Sequence, residues 1–202
     1  MSIARQMPDR YGVPMVPLII LAVVVIVVVV LLAWALATFN KLVRQRNQVQ
    51  AASAQIDVQL KRRHDLIPNL VETVKGYASH ERGTLDAVVT ARAAAVAAND
   101  AGPAKRAQAE GELSAVLGRL LVVAEAYPNL KANQNFLALQ NELTTTEDKI
   151  AYARQFFNNA VQTINTTIQS VPSNIIAGLG QFRIEEYFQA VGEERQAASV
   201  RF

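Results

Sequence analysis

Residues 136–171 read FLALQNELTTTEDKIAYARQFFNNAVQTINTTIQSV, and this stretch decides the fold. A seven-residue apolar repeat of this kind is typical of a long helix that packs on another helix, as in a coiled coil. The repeat predicts a helix that is capped by Asn133 at its start and ends at Pro172. Its members are Phe136, Leu143, Ile150, Phe157, Ile164 and Val171, with Leu139, Ala153 and Ala160 at intervening positions.

A second apolar stripe lies upstream and predicts the partner of this helix. Pro68 falls inside the stripe and lacks the backbone N–H that a helix interior uses. We therefore expect a kink or a short break at Pro68, with the helix resuming to about Tyr77. The two long helices are expected to pack antiparallel. The stripe comprises Leu42, Val49, Ala52, Ile56, Leu60, Ile67, Val71 and Val74.

Two shorter helices are predicted between the long ones. The first runs from about Ser79, a plausible N-cap, to Ala98. The second starts at Pro103, which suits a first helical turn, and runs to about Ala126. Its inward side chains are expected to be Leu113, Val116, Leu117, Leu120 and Leu121.

The stretch PLIILAVVVIVVVVLLAWALATF at 17–39 contains no charged residue. As a helix it measures about 35 Å at 1.5 Å per residue. This is enough to cross a hydrocarbon core of about 30 Å. The competing interpretation is a cleaved signal peptide, with Ala35-Leu36-Ala37 as the cleavage motif. The apolar run is longer than the roughly 7 to 15 residues of a signal peptide, which favours an uncleaved anchor.

These elements define an all-α fold class, in which a single N-terminal transmembrane helix precedes an antiparallel, four-helix-type bundle of long helices. The expected divisions are a short N-terminal tail at 1–16, the transmembrane helix at 17–39, the bundle at 40–172, and a C-terminal arm and tail at 173–202. We expect the aromatic-rich segment 181–188 to fold back on the bundle, and the last dozen residues to be mobile.

Charges flanking the apolar segment favour one orientation in the membrane. Arg5 and Arg10 precede the segment, whereas Lys41, Arg44 and Arg46 follow it. Because basic residues concentrate on the cytoplasmic side, we expect the N-terminus outside and the bundle in the cytoplasm. Residues 17–39 are expected to contact the lipid bilayer.

Composition argues against several functional classes. The chain has no Cys, which excludes disulfides, thiolate metal sites and a cysteine nucleophile. Its 20 Lys and Arg against 17 Asp and Glu give a net charge of only +3, so we expect no nucleic-acid partner.

No arrangement of catalytic or metal-binding residues stands out. His64 and Asp65 are adjacent, but neighbours on a helix point about 100° apart and cannot orient each other. His64 also lies near the apolar stripe, so a structural role is expected. The two histidines, His64 and His80, lack the spacing of paired metal ligands. A cluster of carboxylates from separate helices is the remaining metal hypothesis, and its candidates are Asp65, Glu72, Glu125 and Glu147. We expect no enzyme activity, no metal and no cofactor.

A charged turn beside Pro68 is the candidate interaction surface. Its basic run 61–63 has two interpretations: a contact for a partner or for anionic lipid, or a solvated helix face in which Asp57 pairs with Lys61. The surface comprises Asp57, Lys61, Arg62, Arg63, His64, Asp65 and Asn69.

Several stretches of the soluble part together resemble the LemA family of bacterial membrane proteins. They are FNKLV at 39–43, QIDVQLKRRHDLIPNLV at 55–71, TVKGYA at 73–78, HE at 80–81, EAYPNLKAN at 125–133 and LTTTEDKI at 143–150. The chain departs from the family at Phe157-Asn158 and Ile164-Asn165, where members often have Tyr-Asn.

The resemblance implies a location in the cytoplasmic (inner) membrane of a bacterium. It also implies a short tail outside, one transmembrane helix and a cytoplasmic antiparallel bundle, with no established enzymatic activity. We therefore expect a membrane-anchored scaffold or adaptor. The alternatives are a self-assembling structural protein of the membrane, whose heptad stripe pairs between copies, and an envelope-stress accessory to a membrane protease. Expected partners are other membrane proteins, a membrane protease among them, or further copies of the chain.

Overall fold

The structure is a computed structural model that describes residues 15–188, and all regular secondary structure in that range is helical. The all-α prediction is confirmed. The expectations for the N-terminal tail and for the last dozen residues fall outside the described residues. The helices are α1 (Met15–Tyr77), α2 (Arg82–Ala97), α3 (Pro103–Glu125), α4 (Pro128–Lys131), α5 (Gln134–Gln169) and α6 (Ser173–Leu179).

Helix α1 joins the apolar segment to the bundle without interruption. It has 63 residues, which corresponds to about 95 Å of helix. Its N-terminal part is long and apolar enough to cross a membrane, and that part is exposed along its length. Burial against the rest of the protein begins at Thr38, so the bundle starts where the apolar run ends.

Helices α1 and α5 form the long antiparallel pair that the two stripes predict. Near the apolar segment, Gln45 Nε2 donates a hydrogen bond of 3.1 Å to Thr167 Oγ1. At the other end, Arg62 forms an ion pair with Glu142. The first five residues of the heptad stripe are buried against α1, but Val171 is 80% exposed. The prediction for Val171 was wrong because α5 ends at Gln169, before that position.

The shorter helices α2 and α3 pack on each other and lie against the long pair. The predicted start of α2 at Ser79 was wrong, because residues 78–81 form a turn and α2 begins at Arg82. Pro103 begins α3 as expected, after Gly102 with φ of +87°, a conformation that favours glycine. The short helices α4 and α6 were not predicted, because neither is long enough to show a helical period.

The buried apolar residues form two clusters, which are separated by a polar layer. The cluster near the apolar segment ends at Leu60 on α1 and at Ile150 on α5. The far cluster begins at Ile67 on α1 and at Leu143 on α5. Between these levels lie the buried or part-buried polar side chains of Arg63, His64, Glu110, Thr146 and Glu147.

Of the two outcomes expected at Pro68, a kink or a short break, the break does not occur, because helix α1 continues through this residue to Tyr77. A proline at position 68 has no N–H to donate to the carbonyl of residue 64, four positions earlier. In its place, Arg92 Nε of α2 donates a hydrogen bond of 2.8 Å to the carbonyl of His64. A side chain from a neighbouring helix thus satisfies the acceptor that the proline leaves free.

The role of Arg92 predicts an energetic coupling with Pro68. Arg92→Met leaves the His64 carbonyl without its donor and is expected to lower the free energy of unfolding by about 1–3 kcal/mol. In a Pro68→Ala background the amide of residue 68 supplies that bond, so the cost of Arg92→Met is expected to shrink. Circular dichroism of full-length protein in mild detergent measures both costs. Exposed Arg119→Met is the control, and equal costs of Arg92→Met in the two backgrounds would contradict the coupling.

Candidate functional site: an exposed charged surface over a buried ionic layer

The candidate interaction surface divides into exposed and buried residues. Asp57, Lys61, Arg62, Asp65 and Asn69 are exposed on α1. By contrast, the side chain of Arg63 is fully buried and that of His64 is nearly so. The interpretation of residues 61–63 as one solvated basic face was therefore wrong for Arg63. Position 63 lies between the buried stripe positions Leu60 and Ile67 and faces the core.

The exposed carboxylates pair differently from the sequence-based expectation. Lys61 Nζ lies 2.8 Å from Asp65 Oδ2, one turn onward, rather than binding Asp57. Asp57 Oδ1 lies 2.5 Å from a guanidinium nitrogen of Arg106 on α3. The expected Asp57–Lys61 pair was wrong because α3 brings a second cation to Asp57. The hydrogen bond from Lys61 lowers the pKa of Asp65 below its ordinary value.

Arg63 connects α1 to both α3 and α5. Its guanidinium forms a buried ion pair with Glu110 of α3. It also donates hydrogen bonds of 2.9 Å to Ser114 Oγ and 2.7 Å to Glu147 Oε1 of α5. A desolvated guanidinium is stable only with such acceptors, since an unpaired buried charge is very costly.

His64 contacts the same carboxylate from the neighbouring position on α1. Its Nε2 lies 3.1 Å from Glu110 Oε1, off the line that a regular hydrogen bond requires. Burial acts to raise the pKa of Glu110, but the contact with His64 and the positive charge of Arg63 outweigh it. The net effect lowers the pKa of Glu110, so this carboxylate stays ionised in the core.

Glu110 and Arg106 were not predicted as site residues, although the sequence carries a signal for both. They precede the inward residues Leu113 and Leu117 of α3 by three, seven or eleven positions, so they share its buried face. Because Glu110 and Arg106 are charged, they were assumed to be exposed to solvent. The two residues meet Arg63 and Asp57 of α1, and together they make a polar seam that runs from the core to the surface.

A surface groove of about 410 Å³ opens beside His64 between α1 and α2. Its wall includes Asp57, Lys61 and Asp65 of the candidate surface, together with Arg92 and Asn99. Over residues 15–188, no group of three or more His, Asp or Glu side chains is placed to hold a metal ion. The four carboxylates considered as ligands are not brought together in this range.

The C-terminal arm folds back on the bundle, as the aromatic segment predicts. Phe182 and Phe188 are buried, and the guanidinium groups of Arg46 and Arg154 lie over their rings at 5.3 and 5.0 Å. Asn165 binds the backbone of residue 185, accepting from its N–H and donating to its carbonyl, both at 2.9 Å.

Asn158 makes the same paired contact with the backbone of Phe188, at 2.9 and 3.0 Å. Seven residues of helix span about 10 Å, close to the span of three extended residues, so the two amides match two positions of the arm. The two asparagines of α5 therefore hold the arm against the bundle.

The architecture places this chain among proteins with one apolar N-terminal helix that continues into an antiparallel helical bundle. The chain belongs to the LemA family, because the model of that family matches residues 52–202. Similar proteins include magnetosome protein MamQ 2 of Paramagnetospirillum magneticum, 28% identical over 182 residues, covering 78% of this chain and 67% of the relative. Protein LemA of Metamycoplasma hominis is 26% identical over 156 residues, covering 77% and 71%.

A third relative, magnetosome protein MamQ of Magnetospirillum gryphiswaldense, is 26% identical over 177 residues and is covered over 65% of its length, against 76% of this chain. The chain thus spans about two thirds of the length of its MamQ relatives.

Removing one member of the buried ion pair is expected to destabilise the bundle strongly. Arg63→Met removes the guanidinium that pairs with the buried carboxylate of Glu110, at an expected cost of about 3–5 kcal/mol. Adding Glu110→Met removes the orphaned charge and is expected to recover much of that loss. The free energy of unfolding in mild detergent measures both effects. The matched control is Lys61→Met on the exposed face, which is expected to change little. A double variant no more stable than Arg63→Met would contradict this account.

Acidification is expected to weaken the bundle through Glu110. Its pKa in the folded protein lies below the ordinary value of 4.5, so the folded state holds this proton less tightly than the unfolded chain. The stabilisation is therefore present above the ordinary value and is lost as pH falls through the folded pKa. Glu110→Gln should remove this part of the pH dependence, whereas Glu112→Gln, exposed on the same helix, should retain it. The thermal midpoint measured between about pH 6 and pH 3 tests the difference.

Proposed function

We propose that this LemA-family chain is a membrane-tethered scaffold or adaptor without enzymatic activity. The observation that carries the proposal is the continuity of α1, which runs from the apolar segment into the bundle core. A bundle joined to its anchor by one helix has a fixed distance from the membrane, unlike a domain on a flexible linker. Such an arrangement suits the presentation of a surface to other membrane proteins.

A non-catalytic role is supported by the structural use of the candidate catalytic pair. His64 faces the buried carboxylate of Glu110, and its neighbour Asp65 pairs with Lys61. Neither side chain is placed to orient the other. The contact of His64 holds α1 against α3, and the contact of Asp65 is an ion pair on the exposed face of α1. A structural role therefore explains the two residues better than proton transfer does.

We place the partner contact on the exposed part of the candidate surface, namely Asp57, Lys61, Arg62, Asp65 and Asn69. Lys61 lies 22 residues beyond Phe39, or about 33 Å along the helix. At that distance a partner is another protein rather than the lipid head groups, whose charge is screened within about 8 Å. Candidate partners are membrane proteins, a membrane protease among them. Self-assembly is less favoured, because the heptad stripe, apart from Val171, is buried within one chain.

Site-specific photo-crosslinking in living cells tests the contact. A photoreactive residue at Lys61 or Asn69 is expected to capture a discrete membrane-protein partner. The same residue at Gln162, exposed on α5, is the control and should not capture it. Equal capture at all three positions, or none at Lys61 and Asn69, would reject the surface. Captured species at twice the mass of the chain would favour self-assembly in its place.

The bundle is proposed to lie in the cytoplasm, a placement supported by the basic residues that follow the apolar segment. Asn99→Cys introduces a single thiol into the exposed turn between α2 and α3, since the chain has no other cysteine. An impermeant maleimide is expected to label it only after the membrane is opened. Labelling of intact cells would place the bundle outside and would make an envelope role the leading proposal.

A further inference from the structure

The end of the bundle that adjoins the apolar segment exposes an unusual amount of apolar surface. Val171 is 80% exposed, Ile175 61% and Leu179 79%. They recur every four residues, and Ile175 and Leu179 therefore share one face of α6. The opposite face of α6 is anchored by Ala177, which is buried in the same cluster as Leu42. Helix α6 thus has a packed inner face and an apolar outer face.

Contacts with Phe39 fix the level of this outer face relative to the apolar segment. Phe39 is the last residue of that segment, and its ring meets the ring of Phe182 edge-on with centroids 5.7 Å apart. Gly180, which follows Leu179, is so close to Phe39 that an added Cβ would lie 3.1 Å from its ring. The C-terminal end of α6 therefore lies beside the point where α1 leaves the membrane.

The charge of this half of the bundle is mainly positive. The paired segments 38–56 of α1 and 149–184 of α5, α6 and the arm contain no Asp or Glu. The acidic residues near them are few: Glu185 and Glu186 follow in the arm, and Asp100 lines a groove with Ser53 and Phe157. The two segments contain six cations: Lys41, Arg44, Arg46, Lys149, Arg154 and Arg183.

We propose that the outer face of α6 is a second membrane contact, at which Val171, Ile175 and Leu179 enter the boundary between head groups and acyl chains. Exposed apolar side chains flanked by Lys and Arg are the pattern of segments that lie on an anionic bilayer. The partner is an anionic lipid surface, continuous with the bilayer that surrounds the apolar part of α1. A single spanning helix leaves the bundle free to rotate about the helix axis. A second membrane contact, made by α6, would fix that rotation.

This contact is independent of any partner captured farther from the membrane. It depends on the apolar face, the position beside Phe39 and the local excess of cations. It also explains the exposure of Val171, which continues the heptad stripe of α5. Because α5 ends before Val171, this side chain points away from the core, toward the level of the lipid.

Tryptophan fluorescence of the full-length protein in liposomes tests the contact. Trp34 is the sole tryptophan, so Trp34→Phe gives a dark background to which Leu179→Trp adds one reporter. Lipids brominated near the top of the acyl chains are expected to quench this reporter at least twofold. The matched control is Tyr152→Trp, a position 73% exposed on α5, which should emit as in water and escape quenching. Far-UV circular dichroism verifies that both variants keep their helices.

Vesicle composition separates the outcomes. Quenching at position 179 that is stronger in anionic than in zwitterionic vesicles supports the proposal. Quenching that does not depend on lipid charge would overturn the role of the cations. A blue-shifted emission without bromine quenching would show that a second copy of the chain, rather than lipid, covers α6. Emission at 179 identical to that of the Tyr152→Trp control would overturn the membrane contact altogether.

Discussion

The burial of one positive charge constrains the whole bundle. Arg63 lies on the inner face of α1, between two apolar clusters, with no access to solvent. Because its guanidinium must find acceptors there, α3 has to bring Glu110 and Ser114 to one side, and α5 has to bring Glu147 to the other. An apolar side chain at position 63 would tolerate sliding of the helices by a turn. A charge with three directed partners does not, so the layer sets the register of α1, α3 and α5.

Pro68 shows how tertiary structure can override a local rule. A proline in a helix interior usually kinks or breaks the helix, and the residues around Pro68 do not indicate which donor replaces the missing hydrogen bond. Continuity depends on Arg92, which lies on another helix and donates to the carbonyl that the proline leaves unsatisfied. The same bond ties α2 to α1 one position from Arg63, so the weak point of the long helix is supported where the bundle is most constrained.

The long elements were predictable because their signal is periodic and long. The heptad stripe of α5, its cap at Asn133, which accepts a hydrogen bond from the amide of Phe136, and the start of α3 at Pro103 all follow from the sequence. The buried ionic layer could not be predicted from the sequence, because a charged residue on an apolar stripe can be either exposed to solvent or buried with a charged partner. Only the packing of α3 distinguishes them. The short helices α4 and α6 depend on tertiary contacts and leave no period in the sequence.

The paired amides of Asn158 and Asn165 bind main-chain atoms of the arm and do not read its side chains. Between Phe182 and Phe188 the arm is therefore free to accumulate substitutions at its outward positions, such as Arg183 and Glu186, without losing its place. The position of the arm is determined by the two asparagines of α5 and by the two aromatic rings of Phe182 and Phe188. Sequence drift in the arm is consequently a poor guide to whether it is attached, and comparison of two such arms should begin with their asparagines.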